Sequence, residues 1–278
     1  MTPRDLRREI TELLGDSTAA RWLVETATGI DDWGADGGID VTERMVAHLD
    51  AMVARHRAGE PLQYVLGRWG FRHLDLAVDQ RVLIPRPETE LVVAAVLDVL
   101  DGVDYRRVAD LGCGSGAIGL AVASELPLEG TSVMMSDVDA DALSVARANL
   151  AGIGRAARNV TVVLGDWCAP LRGLAPFDVI VSNPPYIALD DPDVEPVVAQ
   201  YEPAIALFSG SDGLDALRTL AREAPGHLVP GGWLIVEIGT SQGVAVRELF
   251  SAAGLVDVSV DTDHGGHDRV VRGRRPSE

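Results

Sequence analysis

RRVADLGCGSGAIGLA, residues 106–121, decides the fold. Its first six residues read as a short buried strand, and the apolar run from Ala117 reads as the start of a helix. Between them Gly112, Gly114 and Gly116 allow a tight turn and close backbone approach to a ligand, and the helix N-terminus offers free N–H groups. The strand-then-helix pattern repeats downstream. Strands are predicted at RRVADLG, TSVMMSD, VTVVLGD, FDVIVSN and GWLIVEIG, starting near 106, 131, 161, 177 and 232. Helices are predicted at about 116–126, 139–151, 213–228 and 241–253. This alternation predicts an α/β fold: a mostly parallel sheet with helices on both faces. Residues 256–260 and 269–271, joined by a short loop, are expected to form an antiparallel hairpin at the sheet edge, giving seven strands. The tail from Arg272 is expected to fray.

Upstream, the first 60 or so residues read as helical. Leu6, Ile10, Leu13 and Leu14 share one face. Ser17 is the expected cap of a second helix carrying Ala20, Leu23, Val24 and Ala27. A third, residues 41–56, carries Met45, Val46, Leu49, Met52 and Val53 on one side. Residues 71–78 alternate and 81–84 follow after Asp79-Gln80, which predicts a β-hairpin. Pro85 and Pro87 end it, and Glu88-Thr89-Glu90 opens the next helix with favourable charge. The expected organisation is a helical domain at 1–70, a β-hairpin linker at 71–87 and the α/β domain at 88–278.

Bulk composition excludes some classes. The chain has 278 residues and 47% hydrophobic content, enough for a sizeable core. A net charge of −18 argues against a non-specific nucleic-acid binder, which needs a basic footprint, so no direct nucleic-acid contact is expected. Cys113 and Cys168 make no disulfide framework, and a reducing cytoplasm is expected. The segment MTPRDLRREI lacks the apolar core of a signal peptide. The most apolar helical stretch, from Leu91, is too short to span a bilayer and contains Asp98, so no membrane partner is expected.

In an open α/β sheet, ligands bind beyond the carboxyl ends of the strands, near the point where strand order reverses. Asp137, ending the second strand of the array, can accept hydrogen bonds from both ribose hydroxyls of an adenosine cofactor. Gly112-x-Gly114-x-x-Ala117 matches the dinucleotide fingerprint. Asp110-x-Gly112-x-Gly114-x-Gly116 instead resembles the loop of class I S-adenosylmethionine (SAM) methyltransferases. With SAM, the loop N–H groups would take its carboxylate and Asp110 would favour its ammonium. Asp166 can read the adenine amino group, and the Trp167 indole can pack on the ring or simply in the core.

The strand FDVIVSN runs into Asn183-Pro184-Pro185-Tyr186, where two prolines must end the pairing. This resembles the signature of enzymes that methylate a planar nitrogen. Such a nitrogen is a poor nucleophile, because its lone pair is delocalised. Its site needs acceptors for both N–H bonds, and the Asn183 side-chain oxygen and the Pro184 carbonyl supply them. Pro185 stiffens the turn, and Tyr186 packs on the flat group. Transfer by in-line displacement needs no metal. His264-x-x-His267 offers two ligands in a glycine turn, which reads as a solvated loop rather than a metal site.

The stretches GEPLQYVLG (59–67), LIPRPETE (83–90), DLGCGSGAIGLA (110–121), NPPYI (183–187), YEPAIAL (201–207) with DGL (212–214), and DRVV (268–271) together resemble the HemK/PrmC-type protein-(glutamine-N5) methyltransferases. The resemblance implies a class I SAM-dependent, Rossmann-like fold behind a small helical bundle that helps dock a protein substrate. It implies transfer of the SAM methyl group to the glutamine of the Gly-Gly-Gln motif of class I peptide chain release factors, leaving S-adenosylhomocysteine. By position it assigns Gly112, Cys113, Gly114, Ser115, Gly116, Asp137, Trp167 and Asn183 to the cofactor, joining Asp110 and Asp166 read above, and Asn183, Pro184, Pro185 and Tyr186 to the glutamine. Arg86, Glu88 and Glu90 either line the cofactor cleft or cap the helix. The expected state is a monomer. The rivals are a ribosomal-protein glutamine methyltransferase, an N6-adenine nucleic-acid methyltransferase and a non-catalytic SAM-binding module.

Overall fold

A computed structural model describes residues 2–30 and 41–277, which divide into two compact units after Arg68. The smaller unit holds helices α1 (Pro3–Leu14), α2 (Ser17–Thr28), α3 (Glu43–Arg57) and α4 (Leu62–Leu66). Leu6 and Ile10 of α1, Ala20, Leu23 and Val24 of α2, and Leu49, Met52 and Val53 of α3 close one core with Val65. Leu13, expected on the buried face, stays half exposed in the last turn of α1. The cap of α2 is Asp16 and not Ser17: its carboxylate accepts the Thr18 and Ala19 N–H groups, satisfying two orphan donors at once. Residue 41 of the predicted third helix lies outside it, because Thr42 caps the helix from Glu43. Glu60 of the GEPLQYVLG stretch clamps Arg55 at 2.6 Å, and Arg55 also donates to the Tyr64 carbonyl.

A short hairpin follows, β1 (Arg68–Phe71) and β2 (Leu74–Ala77). The expected hairpin, 71–78 pairing with 81–84, does not form. Arg72 takes a left-handed φ of 51°, turning the chain at the second residue of the predicted strand. Two carboxylates hold it there. The Arg72 N–H donates to Glu90 at 2.8 Å, and its guanidinium pairs with Glu125. Phe71 and Leu76 are buried in the core of the larger unit, so residues 71–87 lie within that unit.

The larger unit is built on seven strands in the order β5-β4-β3-β6-β7-β9-β8. They are β3 (Arg106–Leu111), β4 (Thr131–Asp137), β5 (Val160–Leu164), β6 (Phe177–Ser182), β7 (Leu228–Glu237), β8 (Val256–Thr262) and β9 (Asp268–Arg274). The first five run parallel, while β9 lies antiparallel to both β7 and β8. The edge hairpin is thus as expected, with β9 inserted inside β8. β9 runs to Arg274, past the point expected to fray, and Arg275 goes on to exchange backbone bonds with Gly231 and Gly232.

Helices α5 (Glu90–Val99), α6 (Ala117–Glu125) and α7 (Ala140–Gly152) cover one face. Helices α10 (Asp215–Glu223) and α11 (Gly243–Ala252) cover the other. Two short helices the sequence reading did not anticipate, α8 (Pro196–Tyr201) and α9 (Ala204–Leu207), lie between β6 and α10. Strand order reverses between β3 and β6, which are hydrogen-bonded neighbours with Asp110 opposite Val181. The glycine loop and the Asn-Pro-Pro-Tyr turn therefore leave adjacent strands at the same level, at the position where open α/β sheets bind ligands. Among the described residues no helix is long and apolar enough to cross a membrane.

Candidate active site

Three successive loop glycines set the floor. Gly112, Gly114 and Gly116 have φ of 69°, 53° and 84°, a left-handed course that residues with a Cβ rarely follow. Gly116 caps α6, and the Cys113 N–H donates to the Ser136 carbonyl. The loop is fastened to the next strand by Asp137, whose Oδ2 accepts the Gly114 N–H at 2.9 Å and whose Oδ1 accepts the Asp139 N–H. Burial raises the Asp137 carboxyl above its ordinary range, and those two backbone bonds pull it back. Ser182 donates from β6 to the Leu111 carbonyl at 2.6 Å, binding the two strand ends together.

Above this floor lies a cavity of about 520 Å³. Of the residues expected to hold a cofactor it brings together Gly112, Cys113, Gly114, Ser115, Asp137, Asp166, Trp167 and Asn183, with Pro185 at its wall. Gly116 and Asp110 do not line it. Asp110 lies beneath the loop, 1% exposed, with Oδ2 accepting the Gly119 N–H at 2.8 Å and Oδ1 without any partner. Burial pushes its carboxyl up to about 7. Trp167 has φ of 39°, an uncommon backbone for a bulky residue, which turns its ring over Gly112. Cys113 and Cys168 are free and buried, and burial pushes both thiols up, so neither is an active nucleophile.

The charge around this cavity selects its occupant. Asp137, Asp139, Asp166 and Asp215 line it, with Asp110 just below. Arg81 is the one lining cation among the described residues, and Asp79 already engages it through two bonds. A dinucleotide would place its anionic pyrophosphate among these carboxylates. SAM, with a sulfonium and an ammonium, meets favourable charge, and the unpartnered Asp110 oxygen suits a cationic ligand.

A second cavity of about 110 Å³ adjoins the first and is lined by Arg86, Tyr186, Ile187 and Val198, among others. Asn183, Leu83 and Ala206 line both. Asn183 Nδ2 donates to the Thr89 hydroxyl at 3.2 Å. Neither its Oδ1 nor the buried Pro184 carbonyl takes a bond from the protein among the described residues. Asn183 opens on both cavities with its Oδ1 unbonded, whereas Pro184 lines neither. Tyr186 donates to Glu237 at 3.3 Å, and burial with the Glu237 charge holds its phenol well above the usual range, so it remains a neutral donor. The Tyr186 carbonyl accepts from Gln242 Nε2 at 2.9 Å. Gly213, with φ of 74°, passes so close that a Cβ there would sit 2.2 Å from that carbonyl oxygen.

Four supporting residues escaped the sequence reading: Thr89, Glu202, Glu237 and Gln242. Glu202 accepts the Ile84 N–H at 3.1 Å and pairs with Arg86, joining LIPRPETE to YEPAIAL. Of the residues left open between cleft and cap, Arg86 lines the smaller cavity, Glu90 accepts from Arg72, and neither Glu88 nor Glu90 lines either cavity. Glu237 carried a usable signal, an acid ending the apolar strand GWLIVEIG. The loop with His264 and His267 is organised by Asp263, which accepts the Gly265 and His267 N–H groups and pairs with Arg269.

A seven-stranded sheet of this order, with a glycine loop after its first strand and a buried acid after the second, defines a class I SAM-dependent methyltransferase. Residues 89–200 match the family described as Methyltransferase small domain, and residues 5–67 match the PrmC N-terminal domain. The chain is 47% identical to a release factor glutamine methyltransferase of Xylella fastidiosa, over 86% of each chain. It is 45% identical to one of Moorella thermoacetica, over 81% of this chain and 79% of that one. A solved methyltransferase structure from Pyrococcus furiosus shares the fold, with a TM-score of 0.50, 18% identity, and coverage of 82% of this chain and 98% of that one. The chain belongs to the release factor glutamine methyltransferase family.

Proposed function

We propose that this protein transfers the methyl group of SAM to the side-chain N5 of the glutamine in the Gly-Gly-Gln motif of class I peptide chain release factors. The observation that carries this reading is the position of Asn183. It lines both cavities and is anchored through Nδ2, so its Oδ1 is left to accept. When bound, SAM supplies an electrophilic methyl carbon. Asp137 has a lone pair on each oxygen for the ribose hydroxyls, and Asp166 and Trp167 stand where the adenine would lie. Asn183 Oδ1 and the Pro184 carbonyl accept the two N–H bonds of the glutamine amide, orienting its nitrogen lone pair toward the larger cavity. Tyr186 closes the smaller cavity as a neutral wall and takes no proton. The proton released on transfer passes to water.

The helical unit at 1–68 is read as a docking element for the protein substrate, and the enzyme as a cytoplasmic monomer that touches no nucleic acid directly. The test is incubation with labelled SAM and separate acceptors: release factor, ribosomal proteins, tRNA and DNA. Mass spectrometry is expected to find one methyl group on the release-factor glutamine. Label on another acceptor, with none on the release factor, would overturn the reading.

A further inference from the structure

One guanidinium at the smaller cavity is left over by the chemistry above. Arg86 is the single charged residue lining that cavity among the described residues, and the rest of the wall is apolar apart from Asn183 and Tyr186. Its partner is Glu202, whose side chain is 2% exposed. A carboxylate buried that deeply needs a cation, so the plain reading of Arg86 is charge balance.

The shape of the pair says more. Elsewhere in this protein arginine grips a carboxylate with two nitrogens: Arg55 on Glu60, Arg72 on Glu125 and Arg218 on Asp212. Arg86 reaches Glu202 through Nη2 alone, because the Ile84 N–H takes the other oxygen at 3.1 Å. A guanidinium has five N–H donors. Four of those on Arg86, including all on Nε and Nη1, have no acceptor among the described residues. The side chain is 32% exposed and lines the cavity. Glu202 therefore holds an arginine at the cavity wall with most of its donors uncommitted.

The chemistry of the acceptor decides what those donors meet. They are ill suited to the oxygen of the reacting amide. A cation there draws the nitrogen lone pair toward oxygen, and transfer needs that pair on nitrogen. They suit a main-chain carbonyl of the adjoining residue, a neutral acceptor with two lone pairs whose charge does not change in the reaction. A glycine beside the glutamine leaves its carbonyl open to a close approach, since no Cβ shields it.

We propose that Arg86 binds the main chain of the acceptor protein: its guanidinium, held by Glu202, donates to a backbone carbonyl next to the methylated glutamine. Arg86 then touches substrate but not the reacting atoms, so it stabilises ground state and transition state alike. The inference rests on the glutamine acceptor proposed above.

The experiment is steady-state methyl transfer to release factor at saturating SAM, with kcat and KM read separately and SAM affinity measured by calorimetry. Arg86→Gln alone would strand the Glu202 charge, so it is made together with Glu202→Gln. Against Glu202→Gln, the double variant is expected to raise KM for release factor about 10- to 100-fold, through loss of hydrogen bonds from a charged donor. Its kcat and SAM affinity are expected to stay within about three-fold. Arg86→Lys keeps the pair with Glu202 but loses the fork, and is expected to raise KM several-fold over wild type. Charge balance alone predicts no rise in either case. A double variant with KM within about two-fold of Glu202→Gln overturns the proposal, as does a loss confined to kcat. Should the double variant not fold, Arg86→Lys decides, and a KM within about two-fold of wild type overturns the proposal. A wild type inactive on release factor overturns the substrate reading alone, and the same comparison is then run on the protein it does methylate. Methylation of nucleic acid only, or of nothing, overturns both.

Discussion

Replacing Asp110 by Asn is expected to stabilise the free protein above neutral pH and to weaken its hold on SAM. The carboxyl is fully buried, and burial, with the Asp137 charge adding to it, lifts it to about 7 against the single bond from Gly119. A carboxyl with a raised folded-state pKa binds its proton more tightly in the fold than in the unfolded chain. Stability is therefore greatest at low pH and falls as pH rises from about 4 to about 7, levelling off above that. Three pH units at ~1.4 kcal/mol each bound the fall at about 4 kcal/mol. Asn does not titrate and its oxygen keeps the Gly119 bond, but its NH₂ is left unpaired, at a cost of about 1–3 kcal/mol. The variant should be about 1–3 kcal/mol more stable than wild type near pH 8 and no more stable near pH 4.5. Urea unfolding of the SAM-free protein at those two conditions measures the difference. Calorimetry near pH 8 should show SAM binding weakened about 10- to 100-fold through loss of the charge. A stability difference that does not change with pH would refute a buried charge at Asp110.

Asn183→Ala should cost about 10²-fold or more in kcat while leaving SAM affinity near wild type, as read by single-turnover transfer and calorimetry. Asp137→Ala removes the acceptor of the Gly114 and Asp139 N–H groups as well as the expected ribose contact, and calorimetry should show SAM binding weakened by about 1–3 kcal/mol. Gly213→Ala would drive a Cβ to 2.2 Å from the Tyr186 carbonyl oxygen at a φ of 74°. Chemical denaturation should show a loss of at least about 1 kcal/mol, and the displaced turn should lower methyl transfer further than that loss alone explains.

The parts of this architecture carried by local pattern were legible in the sequence. Strands β3 to β7 are apolar runs, α6 begins after Gly116 and α7 after Asp139, and the chemistry-bearing turns sit at strand ends. The parts set by distant partners were not. Arg72 breaks the alternation of 71–78 because Glu90 and Glu125, far along the chain, hold it in a left-handed turn. Little local marks α8 or α9 beyond Pro196 and Pro203 at their starts, and the segment is held by Ile187 pairing with Phe208 and Glu202 reaching Ile84. At the site itself, the motif residues were visible as a motif, whereas nothing in LIPRPETE or GWLIVEIG told that Thr89 would accept from Asn183 and Glu237 from Tyr186. Asp110 was expected beside the cofactor, and its burial beneath the loop depends on α6 packing down onto β4.

The neighbour relations of β3 also govern how the chain is assembled. β4, on one side of it, follows closely in sequence, but β6, on the other, comes only after α7 and β5. A chain growing from its N-terminus carries β3 with one edge of backbone N–H and C=O groups unpaired until Phe177–Ser182 has emerged. The half of the site suited to the methyl donor is thus synthesised first and the half suited to the acceptor second. A nascent chain stalled between them would carry a cofactor-binding loop beside an open strand edge, the state from which misassembly of this sheet would begin.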